Sequence, residues 1–382
     1  MHYPETKLPR VGTTIFTQMS ALAQAHQAIN LSQGFPDFDG PEALLARVDH
    51  YIRQGANQYA PMVGVPALCQ AIAAKVARCY DRTVDAASEV TVTSGATEAL
   101  FAAIAAVVRP GDEVIVFDPA YDSYDPAITL NGGRAVHLQL APPSFAIDWE
   151  AVAHAITPRT RMIILNTPHN PTGQTLSAAD MQALSDLVAG TDILLLADEV
   201  YEHIVFDGVE HQSINRYPAL AERSFVVSSF GKTYHTTGWK IGYCVAPAPL
   251  TAELRKIHQY LTFSTSTPMQ LALADYLNDD PQHDQALPAF YQAKRDRFNA
   301  RMAASRFTFT PAAGTYFQVM DYSAISDLPD TEFVLWLIEH AGVAAIPLSV
   351  FCEQPPEMRL VRFCFAKNKT TLDQAAERLC KI

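Results

Sequence analysis

The sequence predicts an α/β fold in which a large domain with a mostly parallel central sheet is joined to a smaller α+β domain. Two observations favour this fold class. Through the middle of the 382-residue chain, short runs rich in β-branched residues alternate with longer helical patterns, which is typical of a parallel sheet with helices on both faces. After about Pro281 the alternation stops, and a long charged helix is followed by separate strands and helices.

In chain order, the first predicted element is a helix over residues 14–26, followed by the Pro- and Gly-rich SQGFPDFDGP. We assign residues 1–45 to an N-terminal arm that forms part of the small domain. Residues 46–280 form the predicted large domain, with buried strands at 89–93, 113–117, 161–166, 193–198, 224–229 and 241–245. Residues 281–382 form the predicted small domain, with strands near Thr308 and at 316–320 and 359–365, and helices at 287–302, 331–341 and 371–380.

Composition limits the partners that we expect. The formal net charge of −12, without any basic run, argues against nucleic acid. The longest apolar run, residues 99–108, falls short of the ~20 residues of a membrane-spanning helix, and the N-terminus lacks a signal-peptide pattern, so we expect a cytoplasmic protein that does not bind membranes. The six cysteines show no CxxC spacing, which favours free thiols over disulfides or a zinc site.

Lys232 lies in SSFGKTYHTTGWK, directly after the predicted strand SFVVSS. Its GKT resembles the end of a nucleotide-binding P-loop, but that motif needs a glycine where this chain has Val226. Residues just beyond the carboxyl end of a strand border the ligand crevice of an open α/β sheet. Burial there and the charge of Lys240 would lower the pKa of Lys232 and make it an amine nucleophile, and a solvated loop lysine is the alternative.

A phosphate site is predicted in VTVTSGATEAL, where a strand ends and an alanine-rich helix begins. The free N–H groups of the helix start and the hydroxyls of Ser94 and Thr97 suit a phosphate. The same hydroxyls would also serve as plain helix caps. Because the P-loop lysine and the magnesium ligands are missing, a phosphorylated cofactor fits better than a nucleoside triphosphate.

Asp198 ends the apolar strand of ILLLADEVYEH, where a buried carboxylate needs a cation. A protonated pyridine nitrogen would suit it, and Tyr201 could bond to a phenolate oxygen on the same ring. One alternative is helix capping by Asp198, and another is a metal site formed by Asp198, Glu199 and His203. The metal site lacks HExxH spacing and a clear third ligand, so we predict no metal.

Two further motifs follow predicted strands. NTPHNPTG, which two prolines stiffen, could hold Asn170 against a ring oxygen, although a purely structural turn has the same composition. In DPAYDSY, Tyr121 could stack on an aromatic ring.

Taken in order, SGATEAL, DPAYDSY, NTPHNPTG, DEVYEH and SSFGKTYHTTGWKIGY resemble the class I and II aminotransferases, whose fold is the aminotransferase-like fold type I of pyridoxal phosphate enzymes. The segments GTTIFTQMSALA, INLSQGFPDFDGP, NQYAPMVG, VAPAP and RFCFAK resemble the kynurenine and glutamine–phenylpyruvate branch, and most closely its bacterial methionine aminotransferases. The similarity covers nearly the whole chain.

The resemblance implies that pyridoxal 5′-phosphate is the cofactor. Lys232 would form the Schiff base and would then carry a proton from the substrate Cα to the cofactor. The residues implied around the ring are Tyr121, Asn170, Asp198 and Tyr201, and those implied around the phosphate are Ser94, Gly95, Ala96, Thr97, Ser229 and Lys240. Tyr59, in NQYAP, would reach the phosphate in the neighbouring subunit, which implies a homodimer with shared active sites.

The resemblance also implies how substrates bind. Arg362 would take the α-carboxylate in a bidentate fork, with Asn170 and the backbone of Gly34 assisting. No arginine is evident for a distal carboxylate, so an aspartate specialist is disfavoured. An apolar side-chain pocket would be lined by Ile15, Phe16, Phe35, Tyr121 and Phe263.

The expected function is therefore ping-pong transfer of the amino group of methionine and of aromatic or other apolar amino acids to a 2-oxo acid. The alternative is a kynurenine or glutamine transaminase with cysteine-S-conjugate β-lyase activity. A non-catalytic effector-binding domain is disfavoured because every catalytic position is kept. Two residues depart from the wider pattern: Glu98 stands where some relatives carry glycine, and Ser264 stands where the mammalian kynurenine enzymes carry histidine.

Overall fold

The structure, a computed structural model, describes residues 4–9 and 11–382. Its strands, numbered along the chain, are β1 Ile29–Asn30, β2 Val90–Thr93, β3 Glu113–Asp118, β4 Arg134–Gln139, β5 Thr160–Asn166, β6 Leu194–Asp198, β7 Ser224–Ser229, β8 Gly242–Val245, β9 Phe317–Asp321, β10 Val343–Ala344, β11 Ile346–Pro347 and β12 Leu360–Cys364.

The α-helices of the described residues are α1 Ile15–Ala25, α2 Glu42–Arg53, α3 Pro66–Tyr80, α4 Gly95–Val107, α5 Tyr124–Leu130, α6 Trp149–Ala155, α7 Ala178–Val188, α8 Pro218–Ala221, α9 Phe230–Thr233, α10 Ala248–Leu261, α11 Thr267–Asp279, α12 His283–Met302, α13 Asp330–Ala341 and α14 Lys369–Leu379. None of these helices is long and apolar enough to cross a membrane.

The central sheet has seven strands in the order β2-β8-β7-β6-β5-β3-β4. Strands β4, β3, β5, β6 and β7 run parallel, whereas β8 is antiparallel to both of its neighbours, β7 and β2. The predicted α/β class with a mostly parallel sheet is therefore confirmed.

The C-terminal part of the chain builds a separate antiparallel sheet, in the order β11-β12-β9. Strand β1 pairs in parallel with β10, where Ile29 lies opposite Val343, so the segment after α1 is tied to this part of the molecule. The boundaries at residues 45 and 280 stay predictions.

Two of the differences from the sequence expectation concern strand β4 and the segment near Thr308. Strand β4 was not predicted, because an edge strand that carries Arg134, His137 and Gln139 lacks the continuous apolar run of the central strands. The strand expected near Thr308 is a single bridge between Thr308 and Asp321.

The sheet brings several polar strand ends to one edge. Asn166 at the end of β5 lies opposite Asp198 at the end of β6. Thr93 and Ser229, which end β2 and β7, both pair with Gly242 of β8. Polar side chains from strands that are far apart in sequence therefore meet at this edge, as expected for the ligand side of an open α/β sheet.

Candidate active site

A cleft of about 630 Å³ opens at this edge of the sheet. Its lining contains ten of the residues that were predicted to bind the cofactor: Gly95, Ala96, Thr97, Tyr121, Asn170, Asp198, Tyr201, Ser229, Lys232 and Lys240. The other four lining residues are Leu100, Asn166, Val200 and Thr237. Another cavity, of about 740 Å³, includes Asn166 but neither Lys232 nor Asp198. We therefore place the candidate site in the smaller cleft.

The Lys232 amine lies at this cleft and contacts two oxygen atoms. Its Nζ lies 3.1 Å from the Tyr316 hydroxyl and 3.4 Å from the Gly34 carbonyl oxygen. Burial, helped by the positive charge of Lys240, lowers the pKa of Lys232 to about 8. The pKa of Lys232 is thus lowered as expected from the sequence, and a useful fraction of its amine is neutral near physiological pH.

Asp198 is a buried carboxylate, and among the described residues it has no cationic hydrogen-bond partner. Its Oδ2 accepts a hydrogen bond from the Tyr124 hydroxyl at 2.7 Å, and its Oδ1 lies 3.4 Å from the Val200 amide nitrogen. Burial raises the pKa of Asp198 to about 6. A protonated ring nitrogen placed in the cleft would supply the charge that this carboxylate lacks.

Ser94 to Thr97 form a turn at the start of α4 that suits an anion. The Ser94 hydroxyl makes no cap hydrogen bond, so it does not occupy the first backbone N–H groups of α4. These N–H groups lie at the positive end of the helix dipole. Gly95 has a φ of +74°, and an added Cβ would lie 3.1 Å from Lys240 Cε, so the turn needs glycine here. Lys240 Nζ lies 3.3 Å from the Thr97 hydroxyl, and this cation beside free amides fits a phosphate.

Arg362, on β12, is 1% exposed. Its Nη1 donates to Asn170 Oδ1 at 2.6 Å, its Nη2 donates to the Ser32 carbonyl at 3.1 Å, and its guanidinium stacks on Phe317 with the carbon 3.8 Å from the ring centroid. Burial lowers the pKa of Arg362 to about 10, so the group stays charged at neutral pH. Its buried Nε has no partner among the described residues, which leaves capacity to bind an incoming carboxylate.

Two tyrosines at the site were missed by sequence reasoning. Tyr124 holds Asp198, and the repeat of tyrosine three residues after Tyr121 at the start of a helix was the signal that could have identified it. Tyr316 contacts Lys232 and donates to the Gly34 carbonyl at 2.6 Å, while its ring meets that of Tyr201 edge to face at 5.1 Å. In the sequence, Tyr316 looks like any core aromatic residue at the start of an apolar strand.

Not every predicted site residue reaches the cleft. Tyr59 is 84% exposed and packs against Phe263, with ring centroids 5.4 Å apart, on the surface of this chain. Phe16 lies beside Arg362, with the guanidinium carbon 5.5 Å from the centroid of the Phe16 ring. Ile15 lines an adjacent cavity together with Tyr121. The role given to Tyr59 needs a second copy of the chain, and it stays a prediction, as does the place of Phe263 in the side-chain pocket.

The side chains of Asp198, Glu199 and His203, the alternative metal ligands, do not converge on one point. Glu199 pairs with His211 at 3.1 Å. In residues 4–9 and 11–382, the one group of His, Cys, Asp and Glu ligand atoms that lie within 4.8 Å of one another consists of Asp125, His137 and Glu353.

The family model of aminotransferase class I and II matches residues 26–379. The chain is 60% identical to methionine aminotransferase of Escherichia coli over 98% of this chain and 97% of that protein. It is 34% identical to mouse kynurenine–oxoglutarate transaminase 3 over 97% of this chain and 88% of that protein. A crystal structure of an E. coli protein identified as having methionine aminotransferase function matches with a TM-score of 0.98 at 59% identity, and the match covers 100% of both chains.

Proposed function

The chain belongs to the class I and II aminotransferase family, and from this premise we propose that it uses pyridoxal 5′-phosphate to move the amino group of methionine and of aromatic or other apolar amino acids to a 2-oxo acid. The observation that carries the proposal is the convergence of Lys232, Asp198 and the first residues of α4, Gly95 to Thr97, in one cleft. Lys232 would bind the aldehyde of the cofactor, Asp198 its ring nitrogen, and the turn at the start of α4 its phosphate.

The donor set of the cleft fits this cofactor. The Ser94–Thr97 turn with Ser229 and Lys240 would hold the phosphate, Asp198 would keep the ring nitrogen protonated, and Tyr121 would stack on the ring. Tyr201 and Asn170 would contact the ring hydroxyl oxygen. When bound, pyridoxal phosphate supplies an aldehyde that combines with amines and a protonated ring that accepts the electron pair left when a Cα–H bond breaks.

Lys232 is the proposed covalent anchor and proton carrier. Because its pKa is about 8, the amine can accept a proton from the substrate Cα and can also return one in the reverse direction. The Tyr316 hydroxyl and the Gly34 carbonyl hold Nζ in place between transfers. Arg362 would bind the α-carboxylate of the amino donor and, in the second half-reaction, that of the 2-oxo acid, which is the order that a ping-pong mechanism requires.

Substrate preference is proposed from the apolar surroundings of Arg362. The rings of Phe16, Phe317 and Phe351 surround its guanidinium at 3.8–5.5 Å and leave an apolar environment beside the carboxylate anchor. The 60% identity to a methionine aminotransferase supports methionine as a donor. The alternative, a kynurenine or glutamine transaminase with β-lyase activity, rests on lower identity, 34% to the mouse kynurenine enzyme.

A homodimer is part of the proposal. Four large exposed residues lie on the loop before α3 and at the end of α10, with Tyr260 89% exposed; they are Tyr59, Tyr260, Leu261 and Phe263. Such a cluster is typical of an interaction surface, and it includes the tyrosine proposed to reach a neighbouring cofactor.

A single-turnover experiment tests the proposed function. The protein loaded with pyridoxal phosphate and given methionine alone should form one equivalent of the methionine-derived oxo acid per subunit and stop, with loss of its visible absorption band. Addition of a 2-oxo acid should restore the band. Continuous release of pyruvate and ammonia from a cysteine conjugate, without any oxo acid, would favour the β-lyase alternative; no change of the band with either donor would refute the proposal.

A further inference from the structure

Glu98, the residue that departs from the glycine of some relatives, sits in the first turn of α4 and reaches back to the phosphate turn. Its Oε2 accepts a hydrogen bond from the backbone N–H of Ser94, the residue that precedes the helix. The Ser94 hydroxyl makes no cap hydrogen bond. The carboxylate of Glu98 therefore fixes the entry to the turn, while the next amides stay available for an anion.

The other oxygen of Glu98 is committed to a fully buried histidine. Oε1 contacts Nδ1 of His258 on α10, and Nε2 of His258 lies 2.9 Å from the carbonyl oxygen of Met62. A carbonyl can only accept, so Nε2 carries a hydrogen. Nδ1 and the carboxylate must then share one more proton, and the Glu98–His258 pair is neutral overall in either arrangement.

This neutrality matters beside a phosphate. A lone carboxylate next to the turn would repel a phosphate dianion, whereas a carboxylate paired with a protonated partner would not. His258 thus allows Glu98 to brace the turn without an electrostatic cost to the anion that the turn would bind.

The same pair also touches the loop that carries Tyr59. Met62 lies three residues after Tyr59, and Val63 of this loop accepts a hydrogen bond from the Val92 amide of β2 at 3.0 Å. Phe263, just beyond the end of α10, packs on Tyr59 at 5.4 Å. The chain of contacts from Ser94 through Glu98 and His258 to Met62 thus joins the phosphate turn to the Tyr59 loop.

We propose that Glu98 and His258 are positioning residues that hold the phosphate turn and the Tyr59 loop in one geometry, so that recognition of the cofactor phosphate depends on them. The inference rests on the proposed function, because the phosphate in question is that of pyridoxal phosphate. Neither residue is expected to touch the reacting atoms.

The test compares two ligands that differ only in the phosphate. Cofactor-free protein is titrated with pyridoxal phosphate and with pyridoxal, and each Kd is measured from the change in protein fluorescence. Glu98→Ala should weaken pyridoxal phosphate binding about 10- to 100-fold, as expected for loss of a charge-assisted contact, and should change pyridoxal binding less than about threefold. If Glu98 served stability alone, its substitution would change the Kd values of both ligands equally.

Glu98→Gln is the matched rescue. Its amide oxygen can accept from Ser94 and its amide nitrogen can donate to Nδ1 of a neutral His258, so binding should stay within about threefold of the parent protein. Glu98→Asp keeps the charge, but its side chain is too short to reach both partners. Its Kd for pyridoxal phosphate should lie between those of Glu98→Ala and Glu98→Gln. If Glu98→Ala does not fold, Glu98→Asp takes its place in the test. Glu332→Ala, at an exposed acidic residue in the first turn of α13, should leave both Kd values unchanged.

The outcomes separate this inference from the proposed function. If the parent protein prefers pyridoxal phosphate over pyridoxal and the Ala and Asp variants keep the full preference, the positioning role is refuted while the proposed function stands. If the parent protein shows no preference for the phosphorylated ligand, the proposed function falls and takes this inference with it.

Discussion

Tyr316→Phe should lower the pKa of Lys232. The Tyr316 hydroxyl donates its only hydrogen to the Gly34 carbonyl at 2.6 Å, so it can only accept from Lys232 Nζ, which lies 3.1 Å away. An acceptor favours the ammonium form, and its removal favours the neutral amine.

The size of the shift follows from the strength of the lost contact. A hydrogen bond to a charged group contributes ~1.5–3 kcal/mol, and a net loss of ~1.4 kcal/mol corresponds to one pKa unit. The pKa of Lys232 should therefore fall from about 8 towards ~7. At pH 7 the neutral fraction of the amine would rise roughly fivefold.

Competitive acetylation of the cofactor-free protein measures this shift. The protein is treated with limiting acetic anhydride between about pH 6 and 10, and the labelled Lys232 peptide is quantified by mass spectrometry against the exposed Lys369. Tyr291→Phe is the matched control, since the Tyr291 hydroxyl is buried without a partner among the described residues and its ring lies 5.7 Å from that of Tyr316. An unchanged or raised pKa of Lys232 in Tyr316→Phe, or an equal shift in Tyr291→Phe, would show that the Tyr316 hydroxyl does not stabilise the Lys232 ammonium.

Two further predictions concern charged groups of the site. Because burial raises the pKa of Asp198 to about 6, the folded protein binds that proton more tightly than the unfolded chain, and ionisation costs stability as the pH rises from about 4 to 6. Asp198→Asn can still accept from Tyr124, so the cofactor-free variant should be ~1–3 kcal/mol more stable than the parent protein at pH 7 and nearly equal to it at pH 4, measured by urea unfolding at both pH values; equal stability at pH 7 would contradict this. Arg362→Lys replaces a fork by a point charge that cannot serve both Asn170 and Ser32, so kcat/KM for methionine should fall about 10- to 100-fold, mostly through KM, in steady-state kinetics; a loss in kcat alone would argue against a carboxylate anchor.

Much of the fold and part of the site could be predicted because the deciding residues are contiguous in sequence. Asp198 and Ser229 are the last residues of their strands, and the Ser94–Thr97 turn directly follows β2, so reading the strands also located these polar groups. The lowered pKa of Lys232 followed from the same placement, because a residue beyond a strand end in a crevice is partly withdrawn from water.

The residues that were missed join the site through tertiary packing. Tyr124 reaches Asp198, and Tyr316 reaches Lys232, across more than seventy positions of sequence in each case. The tyrosine repeat after Tyr121 was the one local signal for Tyr124, and no local pattern marks Tyr316. Strand β4 was missed because edge strands carry polar residues that hide the strand pattern. Tyr59 lies at the surface of a single chain, so its proposed role depends on a partner.

The identity of the lysine that binds pyridoxal phosphate covalently decides whether Lys232 is the anchor in this cleft. The protein is incubated with pyridoxal phosphate, reduced with sodium borohydride, digested and mapped by mass spectrometry. The pyridoxyl phosphate group should be found on the peptide of Lys232, and Lys232→Ala should take up none by reduction. Stoichiometric attachment to Lys240, or no attachment to the parent protein, would contradict this prediction.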